Sequence, residues 1–268
     1  MELETVRARL GKTERVGARL ECFATIDSTN AYLKRAARAG ACDGAAAIAD
    51  EQTLGRGRRG RSFQSAAGKG LYLSVLLRPR LAPEALLPLT GMLAVAACRA
   101  IDRAADVQTQ IKWTNDLILR GRKLGGILTE PGLGSDGSVQ YVVAGIGINV
   151  SQREEDFDGE VRALATSLAR ETGRAISRET LAAALLEELD ALYSALLRGD
   201  TADYLADYRR RCVTLGRTVQ LLWQDVSERV TALDVDGQFG LVVRRESGAE
   251  EIIRTGEVSV RGLYGYVE

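Results

Sequence analysis

Residues 108–149 read QTQIKWTNDLILRGRKLGGILTEPGLGSDGSVQYVVAGIGIN, and the fold turns on how this run divides. Strand signals fall at 108–113, 116–120, 124–130 and 140–148. Gly121 lies in the turn between the second and third, and Gly132, Gly134 and Gly137 lie in the turn before the last. A parallel return needs a crossover of about a dozen residues or more, so strands joined this closely must pair antiparallel.

Upstream, Leu71 to Leu77 (LYLSVLL) is a strand ended by Arg78-Pro79, and Ala45 to Ala49 reads as a short buried strand. Ser28 is a good N-cap for a helix running to about Arg38, which Gly40 stops. Pro83 opens a long helix from Glu84 to about Ala104, with Pro88 inside its first two turns. Downstream, residues 177–211 carry two helices with apolar spacing near the helical period. After Leu215 come the short strands TVQLLW, RVTALDV, GLVVRR, EEIIR and VSVRG, separated by Asp236-Gly237, Ser247-Gly248 and Gly256. The expected fold is α+β: a mixed β-sheet with helices on one side, then a small C-terminal antiparallel β-barrel. The expected division is a lead-in over 1–21, a main domain over 22–213 and a small β domain over 214–268.

Composition narrows the chemistry. Among 268 residues, Lys and Arg together number 36, as do Asp and Glu, so any electrostatic site must be local. Histidine is absent, which removes a Ser-His-Asp triad, a Cys-His dyad and His-ligated zinc. The four cysteines are scattered without a CxxC pair and read as core thiols. No uninterrupted apolar stretch reaches the roughly 18 residues that span a bilayer. The charged N-terminus lacks a signal-peptide apolar region, and a cytoplasmic location without membrane contact is expected.

Three segments carry candidate chemistry. The first is Gln52-Thr53-Leu54-Gly55-Arg56-Gly57-Arg58-Arg59-Gly60-Arg61, with four arginines in six residues. Arginine grips phosphate and carboxylate bidentately, while glycine lets the backbone come close, which suits a lid over an anion. Three glycines and four mutually repelling cations predict a loop that orders only on ligand. A solvated basic loop or a nucleic-acid contact is the alternative. The second segment holds Lys112, Asn115, Asp116 and Lys123 among apolar strand residues. A lysine facing a sheet-lined pocket can stabilise a phosphoryl oxygen, whereas Asn115 and Asp116 can also be simple turn formers. The third is Gly145-Ile146-Gly147-Ile148-Asn149. It lacks the third glycine and following helix of a dinucleotide fingerprint, so its glycines point to close approach by a ligand or another backbone.

With Ser28-Thr29-Asn30, these segments resemble the catalytic domain of biotin protein ligases. That family shows an STN helix start, a Q-x-x-GRGRRGR loop, a KWPNDL…KLAGIL stretch and a GxGIN strand. All four occur here in family order, and the likeness continues to the C-terminal GEVSVRG, spanning residues 22–268. It implies the fold shared with lipoate ligases and class II aminoacyl-tRNA synthetases. It also implies formation of biotinyl-5'-AMP from biotin and Mg-ATP, followed by transfer to a lysine of a biotin carboxyl carrier protein.

The resemblance assigns roles residue by residue. Ser28, Thr29 and Asn30 would meet the ureido and ring end of biotin, and Gln52 its carboxylate side. Gly55, Arg56, Gly57 and Arg58 would close over biotin and the adenylate, with Arg61 on the nucleotide. Lys123 would bridge the carboxylate and α-phosphate, acting in catalysis with Arg58. Gly145 and Gly147 would pack against ligand, and Asn149 would meet adenine. Lys112, Asn115 and Asp116 would complete the nucleotide side, with Asp116 the candidate for Mg²⁺ otherwise held by phosphates. Thr114, Phe63 and Gly125 depart from the family's usual proline, indole and alanine. The short lead-in predicts a ligase without specific DNA binding. A homodimer stays open, as do a lipoate or octanoate enzyme of related fold and a nucleic-acid-binding module.

Overall fold

In the computed structural model, the described residues are 1–159, 161–223, 226–254 and 259–261. The chain forms α1 (Leu3–Arg7), β1 (Leu20–Ile26), α2 (Thr29–Arg38), β2 (Ala46–Gln52), β3 (Gly70–Leu77) and α3 (Leu89–Ala105). The meander follows as β4 (Gln110–Lys112), β5 (Asp116–Leu119), β6 (Arg122–Leu133) and β7 (Val139–Asn149). Next come α4 (Val161–Leu164), α5 (Leu168–Thr172), α6 (Arg178–Arg198) and α7 (Ala202–Arg211). The last strands are β8 (Thr218–Trp223), β9 (Val226–Val235), β10 (Leu241–Arg245), β11 (Glu250–Ile253) and β12 (Ser259–Arg261).

Seven strands make one mixed sheet in the order β1-β2-β3-β7-β6-β5-β4. Only β1 and β2 run parallel, joined through α2; every other neighbour is antiparallel. The predicted meander is therefore present, as is the second antiparallel sheet, ordered β11-β10-β9-β8-β12. Among the described residues that second ladder runs open from β11 to β12, where a small barrel was expected. Of GEVSVRG only residues 259–261 fall among the described residues; Gly256 and the segment 262–268 lie outside them.

Alternation along β3 divides the core. Leu71, Leu73, Val75 and Leu77 join a cluster with α3 and α6, while Leu76 joins Leu33 and Ala37 of α2 on the other face. The helices are thus mostly on one side, with α2 the exception. As the β1–β2 crossover it covers the face that the longer helices leave bare.

Two boundaries differ from expectation. Pro88 does not lie within a helix: residues 83–86 form a 3₁₀ turn and α3 starts at Leu89 with Pro88 as N-cap. Proline has no N–H to give the preceding turn, so the helix begins after it. The span Pro83–Ala105 has a mean hydropathy of 1.5, enough by composition to cross a membrane, yet most of it is packed inside the protein. The lead-in over 1–21 is also not separate. Val6 and Val16 are fully buried, β1 crosses the 21/22 boundary, and Asp190 of α6 accepts three backbone N–H bonds from Glu14, Arg15 and Val16, each 2.8 Å. The small sheet shares the main core too, with Phe239 packed edge-on to Tyr208 at 5.1 Å and its carbonyl accepting from Trp113 Nε1 at 2.9 Å.

Candidate active site

Strand β2, the start of α2, the loop after β2 and the β5–β7 hairpins converge on one cavity. Its first wall is the α2 N-terminus. Ser28 caps the helix by accepting from Ala31 N, which leaves Thr29 and Asn30 at the inner end. Ser28, Thr29 and Asn30 are 2%, 3% and 4% exposed, so their polar groups need partners or a ligand. Gln52 Oε1 accepts from Thr29 N at 2.9 Å and lies 3.1 Å from Thr29 Oγ1; its amide donates to Ser65 Oγ at 3.0 Å. Ser74, fully buried on β3, places its Oγ 2.7 Å from Thr29 Oγ1 and 2.6 Å from Asn30 Oδ1. The result is a neutral hydroxyl-and-amide end.

Other lining residues are cationic. Arg56, Arg58, Arg61 and Lys123 face the cavity with Asp116 as the one carboxylate among its lining residues. The loop has a defined conformation: Arg56 bridges Ser62, residues 58–60 form a 3₁₀ turn, and Gly57 N donates to Arg61 O at 2.7 Å. In this conformation Arg58 is anchored. Its NH1 donates to Asn115 Oδ1 at 2.8 Å and Thr114 Oγ1 at 3.2 Å, and Asn115 in turn donates to Ile127 O at 2.8 Å. Across the hairpin, Lys123 Nζ lies 2.6 Å from Asp116 Oδ1, with side-chain exposures of 31% and 20%. A lysine paired with a partly solvated carboxylate can exchange that partner for an incoming anion.

Of the expected residues, Ser28, Thr29, Asn30, Gln52, Arg56, Gly57, Arg58, Arg61, Asn115, Asp116, Lys123, Gly145 and Gly147 line this cavity. The two strand glycines serve side chains of the protein itself. A Cβ at Gly145 would meet Asn30 Oδ1 at 2.1 Å, and one at Gly147 would meet the Phe63 ring at 2.7 Å. Three residues expected at the site do not line it. Gly55 is buried beneath the loop, its carbonyl accepting from Phe63 N at 3.0 Å. Lys112 is 6% exposed on β4, behind the wall. Asn149 is 5% exposed and engaged with its own surroundings, donating to Thr166 O at 3.0 Å and accepting from Gln152 at 3.2 Å.

Sequence reasoning missed Ser74 and Glu130. Glu130 of β6 accepts from Asn30 Nδ2 at 2.9 Å and pairs with Lys34 Nζ at 2.7 Å. Burial opposes the Glu130 charge, but the Lys34 and Asn30 hydrogen bonds outweigh it and hold the carboxyl below its usual range. Aromatic and aliphatic wall comes from Phe63, Tyr72, Trp113, Ile127 and Ile146, which are distant in sequence. Buried neutral hydroxyls and amides, apolar wall and several cations in one cavity suit an elongated acid with a polar head, meeting a second anion at its carboxylate.

A profile for the Biotin/lipoate A/B protein ligase family matches residues 22–149. The bifunctional ligase/repressor BirA of Bacillus spizizenii is 41% identical over 167 residues, 62% of this chain and 51% of that protein, so the chain spans about half of that relative's length. The biotin–acetyl-CoA-carboxylase ligase of Mycobacterium tuberculosis is 35% identical over 250 residues, covering 89% of this chain and 88% of that one. Among solved structures, the biotin protein ligase from Aquifex aeolicus in complex with biotin and ATP superposes with a TM-score of 0.77. It is 29% identical and covers 91% of this chain and 99% of its own. The chain belongs to the biotin protein ligase family.

Proposed function

We propose that this chain is an ATP-dependent biotin protein ligase that forms biotinyl-5'-AMP and transfers biotin to a lysine of a biotin carboxyl carrier domain. The observation that carries the reading is the meeting, in one cavity, of buried neutral hydroxyl and amide groups with four cations and one carboxylate. Biotin matches both: its ureido ring is neutral and rich in hydrogen-bonding groups, and its valerate carboxylate is an anion.

In the first step a carboxylate oxygen attacks the α-phosphorus of ATP, and pyrophosphate leaves with the electron pair of the broken P–O bond. Two anions must meet, so Lys123 and Arg58 would neutralise charge on the carboxylate and the phosphoryl oxygens. Arg56 and Arg61 would hold the phosphates. Mg²⁺ would accompany the nucleotide and screen its phosphates, with Asp116 the wall carboxylate to bear on it. In the second step the carrier ε-amine attacks the acyl carbon and AMP departs. Holding reactants in register could supply roughly 7–11 kcal/mol of barrier reduction, with no histidine involved. The cytoplasm, where carboxylases work, is the expected location.

The test is transfer itself. Incubation with a carboxylase carrier domain, Mg-ATP and an equimolar mixture of biotin, lipoate and octanoate should add one biotinyl group to one lysine by intact mass. Lipoylation or octanoylation, or no modification, would overturn the reading.

A further inference from the structure

Asn30 and Lys34 stand one helical turn apart on α2 and both reach the carboxylate of Glu130 across on β6. An asparagine amide can face either way, and its environment decides which end meets a ligand. Here the choice is forced. An ionised carboxylate only accepts, so it must take N–H from Asn30 at 2.9 Å, and the Leu128 carbonyl at 3.3 Å can also only accept. Both amide hydrogens are thereby drawn to the β6 side. Oδ1 is left facing Ser74 and the space that a Cβ on Gly145 would fill. Ser74 has one hydroxyl proton for two oxygens within 2.7 Å, Thr29 Oγ1 and Asn30 Oδ1, so this end of the cavity is richer in acceptor capacity than in donors.

We infer that Glu130 is a positioning residue that fixes Asn30 with its carbonyl toward the cavity, so that this end selects acids whose polar head presents N–H groups. Lys34 sits on the far oxygen of Glu130 and offsets its charge, leaving a directional acceptor rather than a repulsive anion beside the ligand. The inference rests on the reading of the cavity as a biotin site. A ureido ring supplies N–H donors; a dithiolane or an alkyl chain supplies none, so Asn30 Oδ1 would gain no bond from the ligand beyond the one it shares with Ser74.

The experiment measures KM for biotin and kcat in biotin-dependent exchange of pyrophosphate into ATP. It compares the full chain with Glu130→Gln, Lys34→Met, Asn30→Asp and the double variant Asn30→Asp/Glu130→Gln. In Glu130→Gln the introduced amide can turn its own NH₂ toward Asn30 and flip that side chain. The expected result is a rise in biotin KM of about tenfold or more with kcat little changed. Lys34→Met, which keeps the Glu130–Asn30 bond, should shift KM much less. In the double variant the donor and acceptor are exchanged: the amide now on β6 donates to a carboxylate on α2 that still offers oxygen to the cavity. It should bind biotin better than Asn30→Asp alone. A Glu130→Gln KM within twofold of wild type overturns the inference, as does an equal effect from Lys34→Met or a double variant in which the two losses simply add. If wild type itself shows no biotin-dependent exchange, the functional reading fails first. Because the double variant restores the pairing, a folding defect in the single variant does not shelter the inference.

Discussion

Ser28, Thr29 and Asn30 are nearly sealed from solvent, with Thr29 and Asn30 bonded to Gln52, Ser74 and Glu130, whereas Arg56 and Arg61 stand exposed on a glycine-spaced loop that lines the same cavity. The difference follows from what each end must read. A neutral polar group is discriminated only if its partners are buried and preset, because an unmatched buried donor or acceptor costs roughly 1–3 kcal/mol. A phosphate is attracted over a longer range, so its cations can sit on a loop, provided one anchor defines where the loop closes. Arg58, tied to Asn115, is that anchor.

The comparison is broken most severely at Lys123. Lys123→Ala should lower biotin-dependent pyrophosphate release by about 100-fold or more, the cost of losing one donor to developing charge. A rate near wild type would remove Lys123 from the chemistry. Next come substitutions at the preset end. Thr29→Val or Asn30→Ala should weaken biotin by roughly 1–3 kcal/mol in calorimetry while leaving ATP affinity nearly unchanged. Equal losses for both ligands would mean the two ends do not act separately.

A smaller effect on binding is expected at the anchor. Arg58→Ala should alter biotin affinity little but release the reactive adenylate, so that lysines of added albumin become biotinylated. In wild type, biotin with ATP should slow tryptic cleavage at Arg56 to Arg61, and cleavage indifferent to ligand would show that the loop is no lid. The smallest effect lies outside both ends, where Asp207 of α7 accepts from Arg99, Arg210 and Arg211. Burial raises its carboxyl, but these guanidinium hydrogen bonds outweigh it and hold it below the usual range. Its contribution to stability should be intact above about pH 4 and fade as pH falls further, through the depressed folded value. Asp207→Asn should flatten Tm against pH in that window without moving the biotin KM.

Much of this was legible in local pattern. The Ser28 cap, the strand run LYLSVLL and the close strand spacing over 108–149 each map onto an observed element. Thirteen of the sixteen candidate site residues line one cavity because motif residues sit at strand ends and helix starts, where side chains converge. The misses were long-range. Val6 and Val16 gave no periodic signal, yet both are buried: α1 packs against α6, and Asp190 of α6, more than 170 positions away, fixes the backbone at Val16. Ser74 did carry a sign, as a small hydroxyl in a largely apolar strand, but what it bonds depends on α2 crossing that face. Asn149 shows the opposite failure: a conspicuous amide at a strand end whose hydrogen bonds are local.

The central claim is that the cavity activates biotin, and the most direct measurement is exchange of labelled pyrophosphate into ATP with biotin, lipoate, octanoate or no acid. The account predicts exchange with biotin alone, lost in Lys123→Ala. Exchange that follows lipoate or octanoate, or that proceeds without any acid, would contradict it.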